Sequence, residues 1–242
     1  MIINLRQLIL ASIAVGSVML TPVFSYVPFA TIVHAELIAE ADQELMVNLK
    51  LDEVYGNKNL SKEAKISFYN DIINRYPNNN KALYLRGCLY LDMHFYDKAL
   101  VDFNKAVQLG LDTTINYKLY EYRGYSYYKL KEYNKAMSDY NRLLEFNDDD
   151  YRKSYQYELR GYVHERLGEY DEAITDYNKA LQLFENEKFY ADLSYVYEKM
   201  GDKKMAKKYL KKSSNWSFDY KNYREKGDSV LYQHYNSIYY TW

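Results

Sequence analysis

Residues able to make or break bonds are few in this chain, and their spacing does not assemble a reaction. His94, His164 and His234 share no metal-ligand spacing, and there is no HExxH, glycine-rich phosphate loop or nucleophile elbow. The single cysteine, Cys88, follows Gly87 on a helical pattern, and no histidine can be assigned as its base. It reads as a small packed residue. Asn147 to Asp150 is acidic but lacks the glycine and closing glutamate of a calcium loop, which leaves helix capping as its role. No enzyme, cofactor or metal site is expected. Of the 31 tyrosines most fill core slots between helices, and a minority, interleaved with carboxylates and lysines, is left for recognition.

The elements that position those side chains follow from a repeat. Gly87, Gly124 and Gly161 are 37 residues apart (124−87 = 161−124 = 37), and so are Ala99, Ala136 and Ala173, and Phe103, Tyr140 and Tyr177. Self-similarity at such a period marks units that bury their apolar faces on one another. Within Tyr157 to Phe184 the apolar residues form two runs at helical spacing, divided at Gly168, where a left-handed residue can end a helix. Each unit is therefore an antiparallel helical hairpin. The glycine and alanine leave room where its helices cross, and tyrosines interlock around the gap.

On these residues the chain resembles the tetratricopeptide repeat family, whose pattern runs W-x2-L-G-x2-Y, A-x3-F and then P. Leu83, Tyr120 and Tyr157 take the first large slot, the three glycines the next, and Tyr90, Tyr127 and His164 the aromatic after it. Arg86, Arg123 and Arg160 stand where the family has leucine. Leu111, Asp148 and Glu185 stand where it has proline. The period is about three residues longer than the family's, close to one turn of 3.6 residues, so longer first helices are expected, capped by Thr113 and Asp149. Each arginine recurs with Asp102, Asp139 or Asp176, one residue before the second-helix ring, which predicts an Arg–Asp bridge inside each unit. The resemblance implies an all-α, right-handed solenoid of helix pairs.

In chain order, Arg6, an apolar run from Leu8 to Leu20 and Thr21-Pro22 read as a secretory signal peptide, with Val33-His34-Ala35 placing the mature start at Glu36. An uncleaved membrane anchor is the alternative. No cysteine directly follows the run, so a lipoprotein anchor is not expected. The other 242−35 = 207 residues carry 31 Lys and Arg against 33 Asp and Glu, a balance that does not suggest nucleic acid. With one cysteine, no internal disulfide can form. Residues 36–79 read as a degenerate capping unit with Tyr69 in the ring slot, 34 residues before Phe103. Repeats follow over about 80–113, 117–150, 154–187 and 188–213; in the last, Ser194 replaces the packing glycine and Leu210 the ring. Residues 214–242 are aromatic-rich. Tyr232, Tyr235, Tyr239 and Trp242 fall on one helical face, which suggests a closing helix or a tail for self-association in another copy's groove.

In the resembled family the first helix of each unit lines the concave face. That implies a groove bearing Tyr84 beside Cys88, then Glu121, Tyr125 and Tyr128, then Glu158, Tyr162 and Glu165, then Tyr195, flanked by Lys118, Lys129 and Arg166. Rings would anchor a peptide or partner helix, and carboxylates would select Lys or Arg in it. Some family members grip a terminal carboxylate with Lys and Asn here; Glu121 and Tyr125 occupy the corresponding positions, so that clamp is not expected. The sequence therefore reads as a non-enzymatic protein-binding scaffold outside the cytoplasm, and the family resemblance implies a role in bacterial envelope assembly. A module stacking tyrosines on cell-wall sugar and a membrane-tethered subunit of a larger complex are the alternatives.

Overall fold

The computed structural model describes residues 29–110, 113–146 and 149–213, with side chains at 43–110, 116–146 and 149–213. The chain divides into two compact units, 1–50 and 51–242. The helix α1 (Phe29–Gly56) lies mostly in the first. It has no proline, and no glycine before its last residue, so it runs unbroken through Ala35 and Glu36, the expected start of a processed chain. The expected closing helix or tail at 214–242 and the apolar run at 8–20 lie outside the described residues.

The second unit is a stack of helices: α2 (Lys62–Arg75), α3 (Asn80–Asp92), α4 (Tyr96–Leu109), α5 (Thr113–Lys129), α6 (Tyr133–Leu144), α7 (Asp150–Leu167), α8 (Tyr170–Leu183), α9 (Glu187–Lys199) and α10 (Lys203–Lys212). No strand occurs among the described residues. Hairpins α3–α4, α5–α6, α7–α8 and α9–α10 each pack within themselves and against the next. On the near side, the hydroxyl of Tyr69 in α2 donates to the Leu51 carbonyl, 3.3 Å, among buried Leu51 and Val54 at the end of α1.

The longer period goes into the first helices. α5 and α7 have 17 and 18 residues, whereas α3 and α9 have 13 each. Both long helices begin four residues before the unit starts read from the family spacing (117−113 = 154−150 = 4). Asp149 caps α7 as expected, its side chain accepting from the Arg152 amide at 2.8 Å. Thr113 is the first residue of α5, and its side chain lies outside the described ones.

All four hairpins turn the same way. His94, Lys131, Gly168 and Gly201 have φ of 62°, 63°, 80° and 84° at the equivalent position. The next amide in each turn donates back across the helix end: Phe95 to Tyr90, Glu132 to Tyr127, Glu169 to His164 and Asp202 to Tyr197, at 2.8–2.9 Å. Glycine fits that conformation freely in two units. Histidine and lysine accept its steric cost in the others.

At each crossing a ring lies on a glycine. A Cβ added to Gly87 would meet Phe103 at 2.6 Å, and one added to Gly124 or Gly161 would meet Tyr140 or Tyr177 at 2.6 Å. The rings and Ala99, Ala136 and Ala173 are fully buried, so no ring can swing aside. In the last hairpin a serine takes the glycine's place, and the Ser194 hydroxyl donates to the Ala206 carbonyl at 2.9 Å. Gly161→Ala should therefore destabilise by about 1–3 kcal/mol through overpacking. An ordinary helix-interior Gly→Ala change gains about 1 kcal/mol. Urea denaturation of the two proteins measures the sign, and a stabilised variant would refute the crossing described.

Candidate functional site

The first helices are held in line by a repeated polar tripod. Arg86 donates from Nε and Nη2 to Asp102 at 2.8 and 2.6 Å and from Nη1 to Asn70 at 2.6 Å. Arg123 does the same to Asp139, at 2.9 and 2.5 Å, and to Asn104 at 3.3 Å. Arg160 reaches Asp176 at 2.7 Å twice and Asn141 at 3.0 Å. The expected Arg–Asp bridge is present in all three repeats, in bidentate form. The asparagine was not foreseen. It is the residue after the ring in the preceding unit, so each guanidinium joins both helices of its own hairpin and the second helix before it. The arginines are partly covered and the aspartates nearly inaccessible, which makes each pair stronger than a surface bridge.

The expected groove residues lie on α3, α5, α7 and α9, and neighbouring first helices do touch. Tyr84 stacks on Tyr122 with ring centroids 6.2 Å apart, and Arg166 Nε donates to the Tyr128 hydroxyl at 2.9 Å. Their side chains, however, are packed more than projecting. Tyr84, Glu121, Tyr125, Glu158, Tyr162, Glu165 and Tyr195 are all buried, and Tyr128 is half-buried. Tyr125 meets Tyr96 edge-on at 6.1 Å, and Lys129 lies over that Tyr96 ring.

Between α7 and α9 the buried groups form a network. The Tyr162 hydroxyl bonds Glu158 Oε1 at 2.7 Å and lies 3.2 Å from Asp192 Oδ1. Lys188 Nζ also reaches Glu158 Oε1 at 2.7 Å. Nearby, the Tyr177 hydroxyl donates to Glu165 Oε2 at 3.2 Å. Glu121, Glu158, Glu165 and Asp192 are buried carboxylates, while Lys188 is the buried cation among the described residues. Sequence reading missed Lys188 and Asp192. The signal that could have found them is their i, i+4 spacing, which matches that of Glu158 and Tyr162 on the facing helix.

Cys88 is buried, and burial pushes its thiol up to about 12, away from the thiolate a nucleophile needs. His164 is half-buried, with Nδ1 2.7 Å from Glu169 Oε2. Among the described residues no group of three His, Cys, Asp or Glu side chains could hold a metal ion, and no helix is long and apolar enough to cross a membrane.

Stacked helix hairpins that align their first helices define a helical-repeat scaffold for protein–protein contact. Residues 120–149, 154–187 and 187–220 each match a tetratricopeptide repeat family profile. These segments are tetratricopeptide repeats, and the described helices of the second unit form an all-α solenoid of the tetratricopeptide type. No curated protein matches it in sequence. Similar solved structures include a crystal structure of MamA, at 26% identity and a TM-score of 0.57, covering 64% of this chain and 87% of that one. MamA 41-end from Desulfovibrio magneticus RS-1 is 17% identical at a TM-score of 0.59, covering 78% and 97%. YrrB, described as a TPR protein with an unusual peptide-binding site, is 20% identical at 0.56, covering 73% and 84%. The last two likenesses speak to the fold alone.

Removing one partner of the tripod leaves a buried charge, so Arg123→Met should cost about 3–5 kcal/mol. Adding Asp139→Leu should restore most of that loss, and a double-mutant cycle by urea denaturation reads the coupling. Additive losses would refute the bridge. For Cys88 the folded value lies above the ordinary value of 9.0, so the unfolded chain releases the proton first. Stability should be level below about pH 9 and fall as pH rises from there. The buried Tyr69 and Tyr140 hydroxyls, also pushed up by burial, add to the same trend. Equal urea midpoints at about pH 8 and about pH 10.5 would contradict this.

Proposed function

We propose that the protein is a non-enzymatic scaffold outside the cytoplasm, and that it binds an extended peptide or partner helix bearing Lys or Arg along its first helices. The observation that carries this reading is the run of buried tyrosines and carboxylates on α5, α7 and α9: Glu121, Tyr125, Glu158, Tyr162, Glu165 and Asp192. Acidic groups with restricted access to water attract a cation more strongly than exposed ones do. Tyrosines supply rigid contact area beside them. The tetratricopeptide architecture and the peptide-binding site named for YrrB agree with a peptide ligand. Export rests on Arg6, the apolar run at 8–20 and Val33-His34-Ala35. The place proposed for it, bacterial envelope assembly, rests on the resemblance to the tetratricopeptide family together with export.

Because Tyr125 and Tyr162 are packed, truncating them would damage the fold; removing charge at constant shape is the cleaner test. Glu121→Gln with Glu165→Gln, which leaves the Glu158–Lys188 pair intact, should weaken binding of extended Lys- and Arg-bearing peptides by about tenfold or more in fluorescence anisotropy, each good charged contact contributing over about 1 kcal/mol. Neutral peptides should be unaffected. Affinity independent of peptide charge would overturn the proposal, and a mature protein that does not begin at or near Glu36 on amino-terminal sequencing would remove export by cleavage.

A further inference from the structure

The last described helix departs from its repeat in one respect, its charge. α10 carries Lys203, Lys204, Lys207, Lys208, Lys211 and Lys212 in ten residues and no Asp or Glu. α8, the same helix one repeat earlier, carries Asp171, Glu172 and Asp176. All six lysines are exposed, and none makes an ion pair among the described residues. Met205, Ala206 and Tyr209 form the opposite, half-buried side, where Tyr209 stacks on Tyr197 with centroids 5.5 Å apart. Lys204, Lys207 and Lys211, at i, i+3 and i+7, therefore make one outward row with Lys203 and Lys208 beside it. Exposed Leu210, at i+3 from Lys207 and i+7 from Lys203, lies beside these charges.

The fold does not explain a face of one sign. A terminal helix needs only a polar outer side, which mixed charges provide. Here Lys203 and Lys207, Lys204 and Lys208, Lys207 and Lys211, and Lys208 and Lys212 are like charges at i, i+4, each mildly destabilising. Lys203 and Lys204 also sit at the positive end of the helix dipole. An anionic surface facing α10 would relieve both.

We infer that the outer face of α10 is a docking surface for an anionic lipid bilayer. The cations are all lysine, whereas arginine is favoured for the forked hydrogen bonds of nucleic-acid recognition. Lysine suits a diffuse sheet of headgroup charge, and its stem can follow Leu210 into the interfacial layer. The chain as a whole has a net charge of −1, so the attraction is local to this helix.

The full chain, sedimented with phosphatidylglycerol-containing and with pure phosphatidylcholine vesicles, tests this. Any binding through the apolar residues 8–20 is common to both lipids, so the ratio of the two affinities is the readout. The ratio should be large at low salt and shrink as salt rises. Lys204→Gln with Lys207→Gln and Lys211→Gln should reduce it on the order of a hundredfold, at about fivefold per lysine, without lowering the melting temperature. The same charge removed at Lys58, Lys135 and Lys179 should leave it nearly unchanged. A ratio near one in the unaltered protein, a ratio untouched by the α10 changes, or equal loss in the control set would each overturn the proposal. Lysine-dependent binding to duplex DNA without binding to vesicles would replace the bilayer with a soluble polyanion.

Discussion

Three of the four described hairpins close on a flat ring lying against an α-carbon that has no side chain. Gly87, Gly124 and Gly161 let the two helices approach until Phe103, Tyr140 and Tyr177 fill the space between them. That approach also brings the arginine before each glycine against the aspartate before each ring. The planar fork of arginine has donors to spare after it grips a carboxylate. The spare Nη1 reaches back to Asn70, Asn104 or Asn141 and ties the hairpin to the preceding second helix. One close contact thus sets the geometry within a unit and the joint between units.

The ring slot also tunes what lies above it. Phe103 shares its register with Leu91, Tyr140 with Tyr128 and Tyr177 with Glu165, each pair moving by 37 residues. An apolar ring sits with an apolar neighbour in the first repeat. By the third, a tyrosine hydroxyl donates to a carboxylate at 3.2 Å. From α3 to α7 the first helices grow more polar, and α7 meets α9 through the Glu158, Tyr162, Lys188 and Asp192 network. Burying such groups costs desolvation that packing alone would avoid, a cost their mutual hydrogen bonds offset.

The chain's near-neutral sum conceals a separation of charge. Carboxylates gather on the buried side of α5, α7 and α9, while six lysines gather on the outside of α10.

Much of this architecture was legible in the residues themselves. The spacing of glycine, alanine and ring foretold helix hairpins, Gly168 foretold the left-handed turn, and the recurring arginine and aspartate foretold their bridge. These are local or periodic features, and a period of 37 repeats the same physics in each unit. Burial was not legible. Tyr125 and Tyr162 read as projecting anchors, yet neighbouring helices enclose them. Lys188 and Asp192 joined the candidate site only when α9 came to lie beside α7. Composition hid α10, because charge counted over a chain does not record which side of a helix it occupies. The sequence by itself determined the hairpin and its crossing, since both depend on side-chain volume at fixed spacing. Which side chains face one another across successive hairpins, and which face water, was decided by the stacking of whole units, an interaction between residues 16 to 38 positions apart.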